Sequence, residues 1–339
     1  MMVNITRAKR FLTACFVVAL IFSAGGAEAA EFTLKFGATV QEDSASGISM
    51  IEYFKPYVEE KSNGRIAVEI YCNSVLGGDR QMYESLQVNT LQANFGPLSV
   101  LANFAPGFSI VDAPFLFKNK ETAYAALDGE FGALLAGNLP KVGMRVLGYG
   151  ENAFRNISNN VRPIKTMEDM KGLKIRVMEA PVYINTMKAL GANGTPMAFN
   201  ELYTALQQGT VDGQDNGVVL TYTAKVYEVL KYYTFTEHCY AANAYVFSEA
   251  FLQSLPEDLL QVVRDGSLYA LTNQRRLNTE MEEEFIKLIE ASGVQVNHLS
   301  EEERAAWKQA TAPVLDGLAG AVGPEILAAA KAVNDVYGK

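Results

Sequence analysis

The chain has 339 residues, 49% of them hydrophobic and 20% charged, and its net charge is −9 at pH 7. So apolar a composition excludes a disordered chain, and so acidic a balance argues against nucleic acid or an anionic membrane surface as partner. An acidic protein that binds anions must do so at a local basic site.

Arg7, Lys9 and Arg10 precede an apolar run from Phe11 to Phe22, and Ala27-Glu28-Ala29 gives a small-x-small cleavage pattern. The run is too short to span a bilayer, so residues 1–29 are predicted to be a secretory signal peptide and the rest of the chain to be periplasmic. Leu12-Thr13-Ala14-Cys15 mimics a lipoprotein box but precedes the apolar run, so lipidation is not expected. No later apolar segment is long enough to cross a membrane. Beyond the leader only Cys72 and Cys239 remain, enough for one disulfide that the sequence does not assign. The remaining length, roughly 310 residues, exceeds one typical core and points to two lobes.

Phe32 to Phe36 alternates as a strand, and Gly37-Ala38-Thr39 turns out of it. Ser44 to Lys61 carries a helical stripe of Ile48, Ile51, Phe54 and Val58; Pro56 should kink or break it, and Asn63-Gly64 should stop it. Ile66 to Tyr71 is the next strand. Asp79 is placed to cap a helix running to about Val88. Leu91 to Phe95 is a strand ended by Gly96-Pro97. Ala113 to Phe117 reads as an apolar loop suited to an interlobe surface, Glu121 to Leu139 as helix, and Met144 to Leu147 as strand.

Gly148-Tyr149-Gly150-Glu151-Asn152-Ala153 matches the dinucleotide fingerprint G-x-G-x-x-A, but Phe154 to Asn160 and then Pro163 do not open the helix it requires. A strand crossing from one lobe to the other fits better. Thr166 to Asp169 is a short turn. In Gly172 to Pro181, Leu173, Ile175 and Val177 alternate with Lys174 and Arg176, so a strand ends by presenting a guanidinium. Ligands of open α/β sheets collect outside the carboxyl ends of strands, and a planar five-donor cation there suits a carboxylate. Taken alone, the segment leaves open a solvated edge arginine or a structural ion pair.

Val182 to Leu190 reads as a helix, and Asn200 as the cap of another that closes at Gly209. Val211 to Gln214 is a strand with Asp215-Asn216-Gly217 as its exit loop. Tyr222 to Leu230 is helical. Cys239 to Phe247 is a strand crossing between lobes, which puts His238, Tyr240 and Asn243 near the cleft by position. Pro256 to Ala291 is almost wholly helical, about 50 Å if continuous, with Gly266 its one internal weak point. Two helices follow, one around Trp307 and one ending the chain. Leu86 to Ala93 and Leu206 to Gly213 share a plan of helix, left-handed stop, Thr and strand. The echo suggests two similar lobes that each offer a strand end to a common cleft; a chance likeness of two helix–turn–strand units is the other reading.

Leu76 to Arg80, Met170 to Val177, Thr195 to Gln207 and Val211 to Asn216, in this order and spacing, resemble the substrate-binding proteins of tripartite ATP-independent periplasmic (TRAP) transporters, the DctP family. The resemblance covers essentially the whole chain beyond the leader. It implies an α/β, two-lobed periplasmic binding protein, type II-like, with an interlobe cleft and a long hinge-spanning helix. Lobe I is expected at 30–152 plus 242–281, and lobe II at 153–241 plus 282–339. By the same likeness Arg176 pairs with the ligand's carboxylate, Arg155 is a second basic group, Asn216 an amide bonding the carboxylate, and Phe199 an aromatic on the cleft wall. Asp79 falls where it can face the cleft, and Thr39, Asn152 and Tyr240 complete the candidate contacts. Thr39 and Pro97 stand where sialic-acid members place Asn and Glu, which disfavours sialic acid and favours a smaller organic anion.

The implied partners are a small organic acid and the small and large TRAP membrane subunits. No cofactor, metal or nucleic acid is expected, and the chain is expected to be a monomer. A C2–C6 hydroxy, keto or dicarboxylic acid is the first expectation for the ligand, then a sugar acid or small sulfonate. The chain has no G-x-S-x-G, no H-E-x-x-H and no metal-like Cys/His spacing, and its only histidines are His238 and His298, the latter in a polar, surface-like stretch. A secreted hydrolase is therefore the weaker alternative. A ligand-sensing partner of a membrane receptor would use the same cleft, and the sequence does not separate it from transport.

Overall fold

Two long antiparallel strands run through the computed structural model, which describes residues 29–338. The leader expected at 1–29, except Ala29, and the lipoprotein-box mimic lie outside the described residues. The strands are β1 (Phe32–Gly37), β2 (Ile66–Tyr71), β3 (Ala93–Pro97), β4 (Met144–Asn159), β5 (Lys174–Val177), β6 (Asn193–Pro196), β7 (Gly213–Asn216), β8 (Tyr232–Ser248) and β9 (Gln295–His298). Their order is β2-β1-β3-β8-β4-β7-β5-β6, with β9 beside β8. β4 and β8 pair from Met144↔Ser248 to Asn159↔Tyr232.

The two halves of the sheet share one plan. β1 lies parallel between β2 and β3, and β3 pairs antiparallel with β8 at residues 243–247. β5 lies parallel between β6 and β7, and β7 pairs antiparallel with β4 at residues 156–159. The echo read in the sequence holds locally: Asn89 and Gly209 are both left-handed, and the N–H groups of Thr90 and Thr210 bond back to Ser85 and Ala205 at 3.0 and 2.9 Å. This is the two-lobed α/β architecture, with β4 and β8 carrying the chain from one lobe to the other. Between them the register shifts three times, at Val146/Gly148, Glu151/Ala153 and Arg155/Ile157. Bulges of this kind bend strands and strengthen their twist.

Apolar alternation drives each half. In the first, Phe36 meets Phe54 and Tyr245 edge-on at 5.1 and 4.7 Å, and Phe95 joins Tyr245 at 4.8 Å. Such T-shaped contacts add roughly 0.5–1.5 kcal/mol beyond area burial. In β5, Ile175 and Val177 are fully buried.

The long helix spans Glu257–Ala291, 35 residues. Gly266 is a point of close packing: a Cβ there would stand 2.9 Å from Val58 Cγ2 and 3.0 Å from Tyr57 Cδ1. Further along, Gln274 accepts from the Glu151 N–H at 2.9 Å and donates to its carbonyl at 2.8 Å. The helix is thereby fastened to β4 at its middle bulge.

Several boundaries depart from expectation. Pro56 does not break its helix. Ala45–Ile48, a π-helical stretch Ser49–Phe54 and Lys55–Lys61 run on, with the Lys55 N–H reaching Met50. A wide turn tolerates a residue without an N–H, and it rotates the stripe so that Met50 is buried while Ile48 and Ile51 are half-buried. Extended Gly129 splits the next helix into Lys120–Asp128 and Glu130–Ala136. Left-handed Lys225 ends Val218–Thr223 before a 3-10 turn, Val226–Val229. Ala113, Leu116 and Phe117 are core residues, and the Phe115 N–H bonds the His238 carbonyl at 2.9 Å, so this loop packs inward. Met144–Leu147 is only the start of β4, and β9 was not foreseen. Cys72 and Cys239 are free, buried thiols in different apolar clusters. Among the described residues no helix is long and apolar enough to cross a membrane.

Candidate functional site

The carboxyl ends of β1, β3, β5 and β7 converge on one crevice beside the β4–β8 crossing, as the strand-end rule anticipates. Of the eight expected ligand contacts, Arg176, Arg155, Asn216, Phe199, Asp79, Thr39 and Asn152 line it, and so does Asn243. The free space between these walls is narrow, about 30 Å³.

Arg176 is the third residue of β5 and is 2% exposed. Its Nε and Nη2 donate to the Met197 carbonyl at 3.0 and 2.7 Å, and its guanidinium lies 5.8 Å from the Phe199 ring centre. Among the described residues no carboxylate forms an ion pair with it. Burial, then the charge of Arg155, lowers its pKa to about 10. It stays a cation at neutral pH, held at a cost that an arriving anion would relieve.

Arg155 is matched. Its Nε donates to Asp215 Oδ1 at 2.8 Å, its Nη2 donates to the Asp215 carbonyl, and its guanidinium lies 5.0 Å from the Tyr183 ring centre. Burial, the largest single influence, works against its charge, but Asp215 together with Tyr183 and Cys239 more than offsets it and the pKa rises. Its Nη1 is buried without an acceptor among the described residues. Asn216 gives one N–H to Gln214 Oε1 at 3.1 Å and accepts from the Gly217 N–H at 2.9 Å, which fixes the amide and leaves a second N–H.

The opposite wall belongs to the first lobe. Thr39 Oγ1 lies 3.3 and 3.2 Å from the two Asp79 oxygens. Burial raises the Asp79 pKa to about 7, with Thr39 and Arg176 opposing. Asp79 is not the helix cap: Gly78 is, with Gln81 Oε1 accepting from its N–H at 3.0 Å, and Asp79 opens the helix Asp79–Gln87. Its carboxylate is thereby freed to face the crevice. Nor is Asn200 a cap; it is exposed in the 3-10 turn Phe199–Glu201.

Tyr240 does not line the crevice. It is 1% exposed and packs edge-on against Phe154 and Phe117 at 5.3 and 5.7 Å. Side chains alternate along a strand, so a residue three before Asn243 faces the other way. His238 is also away from the crevice, its Nδ1 2.8 Å from Thr236 Oγ1 and its Nε2 3.7 Å from Asp215; burial lowers its pKa to about 4, so it is neutral. His298 is exposed and stacks on Phe235. Gly148 to Ala153 lies within β4 and opens no helix. Asp215 and Asn216 are buried strand residues, not an exit loop.

Sequence reasoning missed the Met197 carbonyl, Asp215 as the partner of Arg155, and Glu179, Met178 and Phe95 on the walls. Glu179 and Met178 follow β5 directly, so the strand-end rule could have found them. Among the described residues no group of three or more His, Cys, Asp and Glu side chains is placed to hold a metal ion.

Residues 36–320 match the family described as bacterial extracellular solute-binding protein, family 7. The chain is 33% identical to the C4-dicarboxylate-binding periplasmic protein of Rhodobacter capsulatus over 89% of this chain and 90% of that one. It superimposes with a TM-score of 0.86 and 34% identity on the sugar acid binding protein of Advenella mimigardefordensis in complex with galactonate, covering 90% of this chain and 100% of that one. A TRAP periplasmic solute-binding protein from a Polaromonas species bound to D-erythronate gives 0.85 and 35%, covering 89% and 98%.

Proposed function

The chain belongs to the bacterial extracellular solute-binding proteins of family 7, the DctP family, and we propose that it captures a small organic acid between its lobes and delivers it to a TRAP permease. The observation that carries this reading is Arg176, a buried guanidinium at the mouth of a parallel strand that forms no ion pair among the described residues. Its relatives include binders of C4-dicarboxylates, galactonate and D-erythronate, all acids with a carboxylate that such a cation can hold.

In this reading Arg176 takes the carboxylate by charge-assisted hydrogen bonds. Asn216 adds its second amide N–H, Arg155 Nη1 a further donor, and Phe199 covers the cation. Lobe I comprises 30–152 plus 242–281 and lobe II 153–241 plus 282–339. The bulge at Glu151/Ala153 supports the first of these boundaries, while the last helix, Pro324–Tyr337, crosses over to pack on Lys120–Asp128 and Glu130–Ala136 of lobe I. The protein works in the periplasm as a monomer, hands its ligand to the small and large membrane subunits, and turns nothing over.

Isothermal titration calorimetry with a panel of organic acids tests the reading. Arg176→Ala should weaken the best ligand by about 30-fold or more, since breaking a buried charge pair costs roughly 2–5 kcal/mol. An unchanged affinity in a folded variant overturns it.

A further inference from the structure

The crevice is lopsided in charge. Arg155 is spoken for by Asp215, so Arg176 is its one unmatched cation among the described residues. The facing wall offers mainly acceptors. The two Asp79 oxygens share the single proton of Thr39. Asn152 is 7% exposed, its Nδ2 is 3.4 Å from Asn243 Oδ1, and its own Oδ1 is buried without a donor. The half-buried Glu179 adds a second carboxylate to the lining.

A guest that satisfies this site must bring one carboxylate for Arg176 and hydroxyl donors for the rest. A second carboxylate would meet Asp79 and Glu179 with no unmatched cation to receive it. Leaving buried acceptors unanswered is costly, and so is facing like charges in a low-dielectric crevice. We propose that the site selects a hydroxylated monocarboxylate over a dicarboxylate of equal length, with Asp79 and Asn152 Oδ1 accepting from the ligand's hydroxyls. The inference rests on the carboxylate-binding reading above and names its ligand class. Asp79 acts here as a specificity residue. Its raised pKa, about 7, fits a group whose ionisation a donor-bearing ligand would favour.

The experiment is calorimetry on the ligand-free protein above pH 7.5 with four- to six-carbon aldonates and dicarboxylates, beginning with D-erythronate and succinate. D-erythronate should bind at least tenfold tighter than succinate. Asp79→Asn should narrow that gap by weakening the aldonate, with its melting temperature checking the fold. The wild-type comparison stands without any variant. Succinate binding as tightly as, or tighter than, every aldonate overturns the inference. If that binding is still lost in Arg176→Ala, the carboxylate reading survives. Should no acid of either class bind, the carboxylate reading falls and the inference falls with it.

Discussion

β3 and β7 are reached by the same turn and leave toward the same crevice, yet they are equipped in opposite ways. β3 ends in Phe95-Gly96-Pro97, and the Phe95 ring is absorbed into the aromatic cluster of its lobe. β7 ends in Gln214-Asp215-Asn216, three polar residues at most 2% exposed. Equal backbone frames therefore carry unequal chemistry. The first lobe supplies shape and acceptors, and the second buries the cations and the groups that hold them. Buried charges tolerate few errors in pairing, whereas an apolar wall tolerates changes of shape more readily.

The contrast can be broken from either side. Asp215→Ala should give the largest effect, because it leaves Arg155 buried without its counter-charge: a loss of about 3–5 kcal/mol in urea unfolding, together with loss of ligand binding. Phe95→Ala should cost a similar or slightly smaller amount, about 3 kcal/mol, by opening a cavity, but should weaken ligand binding far less. If both variants lost affinity equally, the division of labour between the two strand ends would be wrong.

A further effect concerns pH. Asp79 faces Thr39, Tyr83, Arg176 and Glu179, and Asp112 faces Tyr183, Arg155 and Asp215; burial raises both pKa values to about 7. An unfolded aspartate titrates near 3.9. Between those values the folded chain holds protons that the unfolded chain has released, so this contribution is present at low pH and is lost as pH rises from about 4 to 7. Melting temperatures of the ligand-free protein should show this fall, and Asp79→Asn should flatten part of it. An identical pH slope in the variant would remove Asp79 from the account.

Local periodicity made much of the frame legible. Ile66–Tyr71 and the 35-residue helix were readable because their apolar spacing is uninterrupted. Arg176 was readable because a charged residue broke the pattern of a parallel strand at its carboxyl end. What was not legible depends on pairing across the sheet. Asp215 becomes the partner of Arg155 only when β7 docks beside β4, placing Ile157 opposite Asp215. Tyr240 packs away from the crevice; nearness in sequence to the crossing says nothing of which face a side chain takes. β9, whose sequence is Gln-Val-Asn-His, becomes a strand by pairing with β8 rather than by propensity.

The grip of Gln274 on both backbone groups of Glu151 bears on how the molecule moves. β4 cannot swivel at that residue without giving up two bonds at once. The long helix then acts as a stay bolted near its middle. Its early turns are wedged at Gly266 against Val58, and its later turns pack on the other lobe, where Phe285 stacks on Tyr222 at 4.3 Å and Ile289 is buried, so the one rod braces both jaws.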